Sequence, residues 1–204
     1  MRENLLLIFA KNPQLGKAKT RLAATIGDEN ALTVYKELLR HTEAVSESLI
    51  EVDVRVCYTN YPFENYWTSA EQVKQSDGDL GQRMNSAFMQ AFKDGYKRVV
   101  GIGTDLPELT SEDLHTALKR LEEHDFVFGP SIDGGYYVIG LNSPELYYIF
   151  EDMPWSTDQL LTLTLERIKQ QSGTYSLLPT RNDIDTIDDL MMSCLKDTYK
   201  HLIR

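Results

Sequence analysis

The chain has 204 residues, of which 42% are hydrophobic and 25% charged, and its formal net charge is −10. This is an ordinary globular mixture, and a chain of this size hides about 70% of its unfolded surface without needing disulfide or metal staples. The acidic balance argues against general nucleic-acid binding, which wants a basic face. One domain over residues 1–204 is expected. The two cysteines, Cys57 and Cys194, lie far apart and match no metal spacing, which suits a reducing cytoplasm. The apolar run Leu5 to Ala10 is too short for a signal segment or a membrane span, and no longer run follows it.

The elements alternate between strand and helix, the pattern of an α/β fold with a mostly parallel sheet. Asn4 to Ala10 is continuously apolar, as befits a strand covered on both faces. A helix from Asp28 to about Ile50 follows, with Ala31, Leu32, Tyr35, Leu38, Leu39, Val45 and Leu49 at helical spacing. Val52 to Tyr58 reads as a strand, in which Cys57 is core packing, and Gln72 to Gln75 as a short β element. Leu80 to Asp94 reads as a helix stopped by Gly95, and Arg98 to Gly103 as a strand. Thr110 with Glu112 and Asp113 opens a helix to about Glu123. Phe126 to Gly129 and Tyr136 to Leu141 are strands. Ser156-Thr157-Asp158-Gln159 fits a capping box opening a helix to Gln171. Tyr175 to Leu178 is a late strand, and Thr186 caps a last helix through about Leu195.

Ligands of open α/β sheets bind beyond the carboxyl ends of the strands, so the residues after each strand carry the functional signal. After the first strand, Lys11 to Arg21 holds four cations and no acid. It is neither a Walker loop nor a dinucleotide fingerprint. Backbone N–H groups near Gly16 could meet a phosphate, with Lys11, Lys17, Lys19 and Arg21 neutralising it; a solvated lysine-rich loop reads the same way. Asp105, in Gly103-Thr104-Asp105-Leu106-Pro107, is a candidate Mg2+ or Mn2+ ligand, since such ions take one or two carboxylates plus substrate phosphates; a turn-forming aspartate also explains it. Asp183 and Asp185 bracket an apolar Ile184 and share a side if the segment is extended. Asp185 together with Asp105 could hold one cation. In Gly129 to Tyr137, Asp133 is a candidate base, Gly134 and Gly135 allow close approach of an acceptor, and Tyr136 offers a stacking surface; a plain hairpin turn is the alternative. The four histidines form no metal spacing, Ser156 lacks a hydrolase elbow, and Trp155 reads as packing.

These segments, in this order, resemble the bacterial arsenosugar-biosynthesis type of glycosyltransferase within the nucleotide-diphospho-sugar transferase superfamily. The resemblance is carried by Ala10 to Leu22, Gln75 to Met84, Gly103 to Pro107, Gly129 to Tyr137, Pro154 to Thr157 and Asp183 to Thr186. More distantly the chain is similar to phospholactate and molybdenum-cofactor guanylyltransferases. The resemblance implies a Rossmann-like three-layer fold of the glycosyltransferase A type. It implies phosphates on the loop after the first strand, and Gln75, Asp79 and Arg83 near the nucleotide. Asp105 would match the metal aspartate, with one acid where many relatives carry Asp-x-Asp, and Asp185 the second acid. The activity expected is metal-dependent glycosyl transfer from a nucleotide sugar to a small hydroxyl acceptor. The alternatives are nucleotidyl transfer from a nucleoside triphosphate to a phosphorylated acceptor, and nucleotide binding without catalysis. A homodimer is left open.

Overall fold

The structure is a computed structural model that describes residues 3–202; Met1, Arg2, Ile203 and Arg204 lie outside it. Seven strands form one sheet in the order β3-β2-β1-β4-β6-β5-β7. They are β1 (Asn4–Ala10), β2 (Asp53–Tyr58), β3 (Glu71–Lys74), β4 (Arg98–Ile102), β5 (Phe126–Pro130), β6 (Tyr136–Leu141) and β7 (Tyr175–Leu177). β6 runs antiparallel to both neighbours, and every other pair is parallel. The result is a Rossmann-like sheet between helical layers.

β1 lies inside the sheet, between β2 and β4, because it can be buried twice over. Leu5 and Leu7 enter the core on one face of the sheet, and Leu6, Ile8 and Ala10 enter the core on the other. A parallel strand covered on both sides is apolar at every position rather than at alternate ones. Helices α2 (Asp28–Glu47) and α4 (Ser111–Arg120) cover one face, and α3 (Leu80–Lys93) and α5 (Leu160–Gln170) the other. A third apolar cluster joins the short helix α1 (Thr20–Ile26) and α2 to the C-terminal segment through Leu22, Val34, Leu38, Ile184, Leu190 and Tyr199. Burying an isoleucine such as Ile184 fully is worth about 1.5–3 kcal/mol, and here it holds the last part of the chain against α1 and α2.

Local chemistry sets the helix starts. Thr110 caps α4 and Thr186 caps α6 (Ile187–Met192), each in a reciprocal capping box. Asp79 and Gln82 do the same for α3. The start expected at Ser156 is corrected: α5 opens at Gln159 with no side-chain cap, and Ser156 has a φ of +64°. The last helix is also shorter than expected. Ser193 turns extended after α6, and a separate turn, α7 (Lys196–Tyr199), follows. No helix among the described residues is long and apolar enough to cross a membrane. Cys57 is buried in the core, and burial pushes its thiol up to about 12.

Gly81 permits a close approach of Trp155 to α3 beside the cleft. A Cβ there would lie 2.3 Å from Trp155 Nε1 and 2.7 Å from the Phe150 carbonyl oxygen. Gly81→Ala must therefore push Trp155 off α3, at a cost of about 1–3 kcal/mol. The expected outcome is a fall of several degrees in Tm, with reduced occupancy of the adjoining cleft; an unchanged melting curve would show that Trp155 moves freely.

Candidate functional site

The candidate site lies where the carboxyl ends of β1 and β4 meet the returning 181–185 segment. That segment is sewn in by backbone hydrogen bonds. Arg181 N–H donates to the Pro130 carbonyl, Ile132 N–H to the Arg181 carbonyl, and Ile184 N–H to the Asp105 carbonyl at 2.9 Å. The last bond puts residues 105 and 185 side by side although 80 positions of sequence separate them. Arg181 is itself held by both oxygens of Asp113 at 2.8 Å.

The site has two halves that share Phe9, Gly103 and Asp105. The first is a cationic notch of about 290 Å3 lined by Lys11, Lys17, Lys19 and Arg21, with Tyr35 beneath and Asp105 and Asp185 opposite. Its frame is polar and rigid. Lys11 N–H donates to the Tyr35 hydroxyl, which donates back to the Lys11 carbonyl at 2.8 Å. Asn12 ties the loop to residues 60 and 61 through its amide group. Gly16 sits at a turn with a φ of +72°, the left-handed region that glycine favours; it shapes the loop and does not line the notch.

Lys19 is the centre of the notch. Its backbone is left-handed at φ +50° just before α1, and its side chain is 5% exposed. The ammonium lies 2.7 Å from Asp105 Oδ1 and 3.2 Å from Asp185 Oδ1, while Arg21 pairs with the other oxygen of Asp185. Burial works against the Lys19 charge, but the Asp105 and Asp185 carboxylates outweigh it, so the pKa of the ammonium lies above its ordinary value. Asp105 and Asp185 do converge, as the sequence suggests, but on an internal cation.

The second half is a cleft, also of about 290 Å3, running from Asp105 across the sheet end. Asp105, Asp133, Asp183 and Ser131 supply its polar wall, and Leu80, Met84, Tyr136 and Trp155 its apolar one. Tyr136 meets Trp155 edge to face, with ring centroids 6.4 Å apart. The Tyr136 hydroxyl is buried and has no hydrogen-bond partner among the described residues. Trp155 packs against Phe150, as expected of a core residue, and also lines the cleft.

The carboxylates of the cleft differ in environment. Asp133 Oδ1 accepts from Gly135 N–H at 3.0 Å and so braces its own turn. Gly134, at φ +87°, packs against the Asp158 backbone, while Gly135 and Tyr136 face the cleft. Asp183 is half-buried and accepts a hydrogen bond from Ser131 Oγ. Burial raises its pKa, the Ser131 bond offsets part of this, and the nearby Asp133 and Asp185 charges add to the rise. Asp183 thus joins the site beside Asp133. The sequence signal for it was the Asp183-Ile184-Asp185 alternation.

Gln75, Asp79 and Arg83 serve local structure instead of lining either half. Gln75 Nε2 donates to the Cys57 carbonyl, Asp79 caps α3, and Arg83 Nε donates to the Gly78 carbonyl. Their neighbours Leu80 and Met84 reach the cleft.

The donor chemistry bears on a metal ion. Carboxylate oxygens suit Mg2+ or Mn2+, and Asp105, 42% exposed, opens toward both halves. Among the described residues, however, no group of three or more His, Cys, Asp or Glu side chains is assembled for a metal. The residues fit a divalent ion only if ligand oxygens complete its shell.

A crystal structure from Desulfovibrio desulfuricans G20, assigned as a nucleotide-diphospho-sugar transferase, is 29% identical to this chain. It matches with a TM-score of 0.87 over 100% of this chain and 98% of that one. CMP:2-keto-3-deoxy-manno-octonic acid synthetase complexed with CTP shares the fold, with a TM-score of 0.61, 11% identity and coverage of 98% and 99%. In sequence, a 2-phospho-L-lactate guanylyltransferase from Methanocaldococcus sp. (strain FS406-22) is 24% identical over 135 residues. Those are 66% of this chain and 58% of that protein, so the chain spans less than two thirds of this relative. These relatives are all transferases or synthetases by name. Residues 44–157, which include Asp105, Asp133, Tyr136 and Trp155, match the family described as an uncharacterized protein conserved in bacteria (DUF2064), and the chain belongs to that family.

Proposed function

We propose that this protein is a glycosyltransferase that takes a nucleotide-diphospho-sugar donor and a small hydroxyl-bearing acceptor. The observation that carries the reading is the junction at Asp105 of a cationic notch and an aromatic-walled cleft. A diphosphate suits the first and a sugar with its acceptor the second. The likeness in fold and sequence to the Desulfovibrio protein over the whole chain supports the donor class.

In this reading Lys11, Lys17 and Arg21 hold the diphosphate, and charge-assisted hydrogen bonds fix its orientation. A divalent cation, Mg2+ or Mn2+, held by Asp105 and Asp185 with phosphate oxygens, would add neutralisation of the leaving diphosphate. The bond between the sugar carbon and the phosphate oxygen breaks, and the nucleoside diphosphate leaves with the electron pair. The acceptor oxygen bonds to that carbon and gives its proton to a carboxylate. Asp133 is exposed and occupied with its own turn. Asp183, half-buried in the cleft wall beside Ser131 and with its pKa raised by burial, is therefore the better general base. The Tyr136 ring, edge to face with Trp155, offers the acceptor an apolar surface opposite the carboxylates.

A second reading, nucleotidyl transfer, is favoured by the sequence likeness to the guanylyltransferase. Product identity separates the two. Glycosyl transfer releases a nucleoside diphosphate from a sugar nucleotide, whereas nucleotidyl transfer releases diphosphate from a triphosphate.

Three outcomes are expected. In a thermal-shift panel with and without Mg2+, sugar nucleotides should raise Tm by mass action more than triphosphates do; stabilisation by triphosphates alone would favour nucleotidyl transfer. Asp105→Asn should abolish Mg2+-dependent nucleotide binding in calorimetry, and unchanged affinity would remove Asp105 from the site. Asp183 must be ionised to take a proton, so kcat/KM should fall as pH drops through a pKa above the ordinary carboxylate range. Asp183→Asn should remove that limb and cost about 10²–10⁴-fold in rate; a limb unmoved in the variant would assign the base elsewhere.

A further inference from the structure

Lys19 occupies the place where a cation bridging Asp105 and Asp185 would be expected, and its ammonium already touches both carboxylates. We propose that Lys19 is a built-in counter-ion that keeps free divalent metal out of the Asp105–Asp185 pair, so that metal enters only together with an anionic diphosphate. This rests on the reading of the notch as a nucleotide-phosphate site.

The charge distribution carries the inference. Four cationic side chains line the notch against two carboxylates, so the notch itself has an excess of positive charge. An anion can enter without help, whereas a divalent ion entering alone meets like charge. A metal bound directly to Asp105 Oδ1 would lie at about 2.0–2.1 Å from that oxygen. The Lys19 ammonium is 2.7 Å from the same oxygen. The two cations would be near neighbours, so a metal arriving alone meets the repulsion of the ammonium. Arg21 blocks the alternative approach by taking the second oxygen of Asp185.

Lys19 can give way only to a substitute partner. Its side chain is 5% exposed, so its charge cannot simply swing into water. Phosphate oxygens arriving beside Lys11 and Lys17 supply that partner, and they also complete the metal shell that two carboxylates leave open. Metal and nucleotide then raise each other's affinity by the same factor, as linkage requires.

The test uses the full-length chain and Mn2+ as probe, followed by the loss of the free-ion electron paramagnetic resonance signal. Wild type should take up little Mn2+ alone and clearly more with GDP or UDP present. Lys19→Gln should bind Mn2+ alone at least about tenfold more tightly than wild type, a coupling of ordinary size. Mn2+ should also raise the Tm of the variant but not that of wild type, because the ion replaces the lost ammonium. Lys19→Asn, whose side chain tolerates left-handed backbone, repeats the test should the glutamine variant fold poorly. The inference is overturned if wild type binds Mn2+ alone as tightly as the variants do, or if neither variant gains affinity. If no nucleotide binds wild type under any condition, the functional reading fails, while the Mn2+-only comparison still decides the role of Lys19.

Discussion

A buried ammonium cannot stand without anions around it. Removing such a charge from water costs several kcal/mol unless close partners repay the loss. Lys19 is nearly inaccessible, and its two partners arrive from the ends of different elements, Asp105 after β4 and Asp185 before α6. The notch exists in one shape because these three groups must meet. Around them the fold supplies the means: Ile184 buried in the third apolar cluster, its N–H on the Asp105 carbonyl, and the left-handed turn that aims Lys19 inward.

The same constraint divides the labour of the basic loop. Lys19 is held within the protein, whereas Lys11, Lys17 and the largely exposed Arg21 face the opening. A loop that reads as four equivalent cations is thus one buried structural cation, one exposed cation paired with Asp185, and two exposed lysines. The cleft beyond Asp105 is built on a different principle. Its apolar wall comes from α3, β6 and Trp155, and its polar wall from the β5–β6 turn and the 181–185 segment. A ligand spanning both halves would be anionic at one end and would offer hydroxyl groups to the carboxylate wall and an apolar face to the aromatic wall at the other.

Much of the fold was legible because each signal was local. The double burial of β1 shows as an unbroken apolar run, and the Thr110 and Thr186 caps show as a hydroxyl followed by acids. Elements without such signals were missed. α1 begins after a left-handed lysine and has no side-chain cap, and the Pro144–Phe150 segment forms a 3-10 turn with only a Ser143 cap. The capping box expected at Ser156 failed because Ser156 adopts positive φ and Trp155 beside it is drawn onto α3. In the site, Asp105 could be picked out from its place after a strand and Asp185 from the Asp183-Ile184-Asp185 alternation ahead of the Thr186 cap. Their shared hold on Lys19 could not, because it depends on how residues 19, 105 and 185 converge in space. The roles of Gln75, Asp79 and Arg83 in bracing β2 and α3 are likewise visible only from their hydrogen bonds.

The central claim is that the notch between residues 11–21 and the Asp105–Asp185 pair receives nucleotide phosphates. Amide chemical-shift mapping of the isotope-labelled protein during titration with UDP or GDP tests it most directly. The account predicts saturable shifts concentrated at residues 11–21, 103–105 and 183–185, spreading to 131–136 when a sugar nucleotide replaces the diphosphate. Saturable shifts confined to another surface, such as the hollow beside Lys36 and Arg40, would contradict it.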